Sequence, residues 1–255
     1  MILLRRIGSV FLVPLLLAAC ASQQQPAPQS SAATSTAAPT ATATTKPSTY
    51  LDAGAVDLLA LLPAPPANDS PITRAEIELV LTLQREATPA AVARATSEER
   101  LTSAIFAEVL GPNFNDKALP RTAAFLKAAA ADAGPLTNAA KDHFKRPRPP
   151  SIDRRVNPHE EPHASFGYPS GHSTGAMLWA TLLAEMLPEK RNELRARAAA
   201  AGYSRIVLGV HFPSDVVAGL ASGEAIGRAI IAAPRAKAAL EDARQELRAA
   251  GFAIR

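Results

Sequence analysis

From Tyr50 onward, apolar residues recur at helical spacing, and proline and glycine mark the breaks between runs. Asp52 to Leu62 is rich in Leu and Ala and ends in Pro63-Ala64-Pro65-Pro66. Thr73-Arg74-Ala75-Glu76 has the form of a capping box, and Ile77, Val80, Leu81 and Gln84 follow on a helical period. Thr88-Pro89 reads as an N-cap with proline at the first helical position. Ser97 predicts another start, with Glu98 and Glu99 in the first turn, running to Gly111-Pro112. Leu119 to Ala133 is Ala-rich and is expected to close at Gly134-Pro135, where Pro135 opens a separate helix carrying Lys141. Residues 146–169 are dense in proline and aperiodic, which predicts a long loop, and loops of that length within a domain are usually functional. Four more helices are expected: Ser173 to Leu187, Pro188 to about Leu208, Pro213 to about Ala232, and Pro234 to Ala250. Strand-like alternation is absent, so the expected fold class is all-α, a compact multi-helix bundle. Ser173 to Leu187 and Val216 to Ala233 are apolar, but Glu185, Glu224 and Arg228 interrupt them; they read as buried core helices.

The first fifty residues follow a different grammar. Arg5 and Arg6 precede an apolar stretch from Ile7 to Ala19, too short to span a bilayer comfortably and flanked as an export signal is. Leu17-Ala18-Ala19-Cys20 resembles a bacterial lipoprotein box, which implies cleavage before Cys20 and lipid on its sulfur. Ala21 and Ser22 follow, with no Asp at either place, and by resemblance to sorting patterns this implies the outer membrane. Of the 29 residues from 21 to 49, 28 are Ala, Ser, Thr, Gln or Pro, so ordering them would bury almost nothing. The expected organisation is therefore a signal peptide over 1–19, a lipidated Cys20 with a disordered tether over 20–49, and a helical domain over 50–255. A soluble periplasmic or secreted protein is the alternative.

Charge and composition narrow the function. Lys and Arg number 27 against 23 Asp and Glu, a net +4, too small and too dispersed to argue for nucleic acid. The single cysteine excludes an intrachain disulfide and any site needing two thiolates. Locally the balance differs: residues 141–155 hold six Lys or Arg against two Asp. All five histidines, His143, His159, His163, His172 and His211, fall within 69 residues.

Three blocks in that window carry candidate chemistry. They are Lys141 to Pro149, with the form K-x₆-R-P; Pro169-Ser170-Gly171-His172; and Ser204 to Asp215, with the form S-R-x₅-H-x₃-D. Lys141, Arg148 and Arg205 supply three cations for a tetrahedral oxyanion, and arginine matches phosphate oxygens as a fork. Ser170-Gly171-His172 lies at a loop-to-helix junction, where backbone N–H groups point at an anion and glycine allows close approach. His211 and Asp215 are four apart across Pro213, a spacing that brings a carboxylate to one imidazole nitrogen and frees the other for attack. His172 is then available to protonate a leaving group.

Together the blocks resemble the type 2 phosphatidic acid phosphatase and haloperoxidase superfamily. Tyr50-Leu51, Leu58 to Pro66 and Ala140-Lys141-Asp142-His143-Phe144 are similar to bacterial class A non-specific acid phosphatases, so the resemblance covers the whole domain from Tyr50. It implies a helical bundle of the acid phosphatase/vanadium haloperoxidase type. It also implies hydrolysis of phosphate monoesters at acid pH, with no metal or other cofactor. His211 is then the nucleophile that becomes a phosphohistidine, Asp215 its orienting partner and His172 the acid and base. Lys141, Arg148, Arg205, Ser170 and Gly171 hold the phosphate oxygens. Class A relatives assemble into dimers or larger oligomers, which implies self-association. Some carry paired cysteines; this domain has none.

Competing readings are weaker. His159-Glu160-Glu161-Pro162-His163 matches H-E-x-x-H, but that zinc motif needs a continuous helix, and Pro162 sits inside it. A vanadium-dependent haloperoxidase would use the same cage. An integral lipid phosphatase would need several membrane spans, although an enzyme anchored through Cys20 can still reach lipid phosphates.

Overall fold

Proline opens five of the helices over the described residues, preceded by a short polar cap at Ser70 and Thr88. The computed structural model describes residues 48–160 and 164–253, and over them the chain forms α-helices joined by loops and short 3₁₀ turns, with no strand. The expected signal peptide, Cys20, nearly all of the tether, Pro162 and His163 lie outside the described residues. The elements are α1 (Leu58–Leu61), α2 (Pro71–Glu86), α3 (Pro89–Ser97), α4 (Ala107–Leu110), α5 (Pro120–Phe144), α6 (Pro149–Ile152), α7 (Gly171–Met186), α8 (Arg191–Val207), α9 (Pro213–Ala232) and α10 (Lys237–Ala249). The all-α reading from sequence holds.

Helix α7 is the centre of the core. Its side chains are buried almost all the way round, α8 and α9 pack on it, and α5 covers a further face with α10 behind. The approach of α9 is unusually close. A methyl built on Gly219 would stand 2.4 Å from the carbonyl oxygen of Ser170, and one on Gly223 would stand 2.3 Å from that of Thr174. Only glycine lets the two backbones meet in this way. As a result the starts of α7 and α9 lie side by side, and the Ser170 N–H donates to the Asp215 carbonyl at 2.9 Å.

Several element boundaries differ from expectation, each for a physical reason. The expected break at Gly134-Pro135 is not there: α5 runs unbroken through Pro135. Gly134 offers no Cβ to clash with the proline ring, and buried residues on both sides, Ala129 and Ala133 before and Thr137 and Ala140 after, hold the two halves in line. Ser97 ends α3 instead of starting a helix. Its hydroxyl donates back to the Arg94 carbonyl at 2.7 Å, and Glu98 turns inward to pair with buried Arg197. Thr73 is likewise inside α2, whose N-cap is Ser70, accepting from the Thr73 N–H at 3.1 Å. Glu76, expected to reach back to the backbone, points into the protein. The Asp52 to Leu62 helix shrinks to one turn capped by Asp57.

The body's first residues are clamped onto α5. Buried Asp132 accepts the N–H groups of Thr49, Tyr50 and Leu51 at 2.7, 2.7 and 3.2 Å. Among the described residues, no single helix is long and apolar enough to cross a membrane.

Candidate active site

The turn between α8 and α9 carries the histidine. Gly209 adopts a φ of 75°, in the left-handed region, and the chain then enters α9 at Pro213 with Asp215 in its first turn. The Asp215 carboxylate reaches back: Oδ2 accepts the Phe212 N–H at 3.0 Å and faces His211 Nδ1 at 3.2 Å. The other ring nitrogen, Nε2, faces Arg148 Nη1 at 3.1 Å. A guanidinium has only donors, so Nε2 accepts and the neutral ring carries its proton on Nδ1, toward Asp215. That tautomer leaves a lone pair on Nε2.

Burial reinforces the neutral state. His211 is 3% exposed, and its pKa is pushed down to about 3, first by burial, with the Arg148 and Lys141 charges adding to the effect and Asp215 opposing it. For Asp215 burial works upward, but the bond to His211, the Arg146 charge and the Phe212 N–H outweigh it, and its pKa falls below the usual carboxylate value.

Behind Asp215 lies a network that the motif reading missed. Arg146, in the loop after α5, is 2% exposed and stacks on the Phe212 ring at 4.2 Å. Its Nη1 pairs with Asp215 Oδ1 at 2.7 Å and its Nη2 with Glu76 Oε2 at 2.7 Å. The second oxygen of Glu76 accepts the Ser214 N–H at 2.7 Å. Glu76 of α2 therefore holds both the arginine and the first turn of α9. The only signal in the sequence was one more cation between Lys141 and Arg148.

Of the expected phosphate ligands, Arg148 contacts His211 directly, the Lys141 charge acts on the same ring and the Arg205 charge acts on Arg148, each with its own current partners. Lys141, 5% exposed on the last turn of α5, donates to the carbonyl oxygens of Phe166 and Gly167, and burial first, then Arg148, lowers its pKa to about 8. Arg148 also donates to the carbonyls of Val210 and Ser165, each at 2.9 Å, and burial lowers it to about 10. Arg205, 2% exposed on α8, gives Nη2 to both oxygens of Glu160, a fully covered carboxylate from the 146–169 loop. Its Nε and Nη1 are buried without a hydrogen-bond partner.

Ser170 is the N-cap of α7, fully buried, its hydroxyl accepting from the Ser173 N–H at 3.3 Å and lying 3.0 Å from the Ser173 hydroxyl. Gly171 is the first helical residue, where backbone N–H groups have no carbonyl within their own helix. His172, half-buried, follows in the same turn. The contact between the Ser170 and Asp215 backbones brings this turn to the head of α9. His143 is exposed and meets Phe144 edge-on, and exposed His159 donates only its backbone N–H, to Leu208. Among the described residues, no group of three or more His, Cys, Asp or Glu is placed to hold a metal ion. The chemistry available is that of a carboxylate-oriented neutral imidazole inside a cage of cations.

Comparison with known proteins points to phosphatases. The PAP2 superfamily pattern matches residues 122–238, a span that includes all three blocks. The chain is 32% identical over 196 residues to a non-specific acid phosphatase of Salmonella typhimurium, covering 73% of this chain and 78% of that one. It is 44% identical over 62 residues to a lipid A 1-phosphatase of Rhizobium etli, 24% of this chain and 27% of that one. A PAP2-type phosphatidylglycerolphosphate phosphatase from Bacillus subtilis overlays with a TM-score of 0.49 at 20% identity, over 63% of this chain and 85% of that one. The chain thus carries a PAP2 superfamily domain over residues 122–238. Within that superfamily, the chain belongs to the non-specific acid phosphatases, enzymes that hydrolyse phosphate monoesters.

Proposed function

We propose that the reaction runs through a phosphohistidine at His211 and needs no metal. The observation that carries this is the pair of contacts on the ring, Nδ1 to Asp215 at 3.2 Å and Nε2 to Arg148 at 3.1 Å, which expose an unprotonated nitrogen to a cationic pocket. A substrate phosphate entering the pocket takes Arg148, Arg205, Lys141 and the Gly171 N–H onto its oxygens. Nε2 then attacks phosphorus, the ester P–O bond breaks, and His172 gives its proton to the departing alcohol oxygen. The phosphorylated ring is positive, and the Asp215 carboxylate on Nδ1 stabilises it. In the second half His172 takes a proton from water, water oxygen attacks phosphorus, and the P–Nε2 bond breaks to release inorganic phosphate. Charge on the transferring group is met by fixed side-chain cations, the positioning and electrostatic work that dominates phosphoryl transfer.

The depressed pKa of His211 supports activity in acid. A histidine with an ordinary value near 6.5 would be protonated at pH 5; one held at about 3 keeps its lone pair. The test is His211→Ala with p-nitrophenyl phosphate as substrate, with and without EDTA on the parent enzyme. Turnover is expected to fall at least a thousandfold, on the scale of losing a covalent nucleophile, with the circular dichroism spectrum unchanged. Undiminished turnover in the variant, or loss of parent activity in EDTA, would sink the mechanism.

A further inference from the structure

Beside the phosphate cage lies a cleft of about 320 Å³ that none of the motifs accounts for. Lys141 and Gly171 form one end of it. Its walls include Leu101, Ala130, Thr137, Thr174 and Trp179, with exposed Asn138 at the rim.

The walls are more apolar than their residue names suggest. The Thr137 hydroxyl is spent on the Ala133 carbonyl at 2.8 Å, and the Thr174 hydroxyl on the Ser170 carbonyl at 2.9 Å. Trp179 donates its indole N–H to the Leu126 carbonyl at 2.9 Å. What those three side chains show to the cleft is methyl and ring surface. Apart from Asn138 at the rim, the hydrogen-bonding side chain that remains is Lys141, at the inner end. Space is open beside Gly134, where a methyl would meet no atom within 4 Å, while Leu101 packs tightly onto Gly175, 2.9 Å from a methyl built there. Its direction also suits the reaction. His172, Gly175 and Trp179 follow at i, i+3 and i+7, one side of α7, so the cleft runs along the same side as the expected proton donor.

We propose that this cleft receives the leaving group, and that the preferred substrates are monoesters of apolar alcohols, short alkyl or ring-sized. The inference rests on the phosphohistidine reading above, which sets His172 on the leaving-group side. Phosphate is held by the cations, and the alcohol's hydrocarbon is removed from water against Leu101, Ala130 and Trp179.

The test uses the full chain and the series ethyl, butyl, hexyl and octyl phosphate, with glycerol 3-phosphate as a polar control. In the parent, kcat/KM is expected to rise up to about fourfold per methylene and to level off once the chain outgrows the cleft. Ala130→Leu and Asn138→Trp fill the cleft and should flatten the series by lowering kcat/KM for hexyl and octyl phosphate toward the ethyl value, with circular dichroism spectra matching the parent's showing that they fold. Trp179 is the chain's sole tryptophan, so it reports directly: saturating benzylphosphonate should change its emission in the parent, and inorganic phosphate should not. A flat parent series, a slope that survives both variants, or unchanged Trp179 emission overturns the inference. Absence of hydrolysis for every monoester overturns the proposed function instead.

Discussion

A carboxylate seated on a phosphate-binding arginine competes with phosphate. A guanidinium offers two bidentate edges, Nε with Nη2 and Nη1 with Nη2, and Glu160 holds the nitrogen common to both. Arg205 cannot take a phosphate on either fork until that carboxylate gives way. Glu160→Gln removes the negative charge and leaves a neutral amide oxygen to accept from the guanidinium, so the ion pair becomes a weaker ion–dipole contact. The expected result is a fall in KM, and in the inhibition constant of inorganic phosphate, of about tenfold, the equivalent of about 1.4 kcal/mol, with little change in kcat. A rise in both constants would mean that Glu160 instead holds Arg205 in place for phosphate. At this scale the sequence was legible where chemistry sits in blocks of fixed spacing. Lys141, Arg148, Arg205, His211 and Asp215 could be picked out because each belongs to such a block. Arg146 and Glu160 could not. Arg146 looks like one more cation in a basic run, and its buried partner Glu76 lies 70 residues away in the chain. Glu160 stood out only within a zinc-like pattern, and nothing local pointed it at Arg205.

Elements meet at Arg146. It ties α2, through Glu76, to the first turn of α9, through Asp215, so the angle of the Asp215 carboxylate depends on a helix far from the motifs. Removing one member of a buried ionic network strands the others, at a cost of roughly 3–5 kcal/mol. Arg146→Ala should therefore lower unfolding free energy by about that much in urea. Because Asp215 is freed as well, kcat should fall while KM for p-nitrophenyl phosphate changes little. Arg146→Lys, which restores the charge but cannot bridge both carboxylates, should recover part of each loss. A variant with lowered stability but full kcat would restrict Arg146 to a structural role. The boundaries of these elements were readable from caps only where the caps act locally. Thr88 and Pro213 mark true starts. Pro135 did not end a helix, because core packing on both sides of it outweighs one lost hydrogen bond. Ser97 did not start one, because Glu98 was needed by Arg197. In both cases a contact distant in sequence overrode a sound local signal.

For the whole molecule, burying a neutral histidine links catalysis in acid to stability in acid. The unfolded chain protonates His211 near 6.5, whereas the folded chain resists protonation until about 3. Between those values the unfolded state holds more protons, so stability falls as pH falls, by up to about 1.4 kcal/mol per unit for this one group. Above 6.5 both states are neutral at this residue and its contribution is constant. Asp215 acts in the same direction: its folded pKa is lowered, so the stability it adds is lost as pH falls through that value. Lys141 works in another window. It is charged in both states below about 8, and between there and 10.5 the unfolded state again holds more protons, so stability rises with pH. The burial that keeps His211, the proposed nucleophile, unprotonated in acid therefore destabilises the fold there. His211→Gln separates the two effects, since glutamine cannot titrate and Asp215 keeps Arg146 and the Phe212 N–H. Urea unfolding from pH 7 down to 4 should show a shallower loss of stability in the variant than in the parent, by close to one proton's slope. Parallel curves would mean that the folded protein takes up the proton on His211 as readily as the unfolded one, and the lone pair in acid would then need another source.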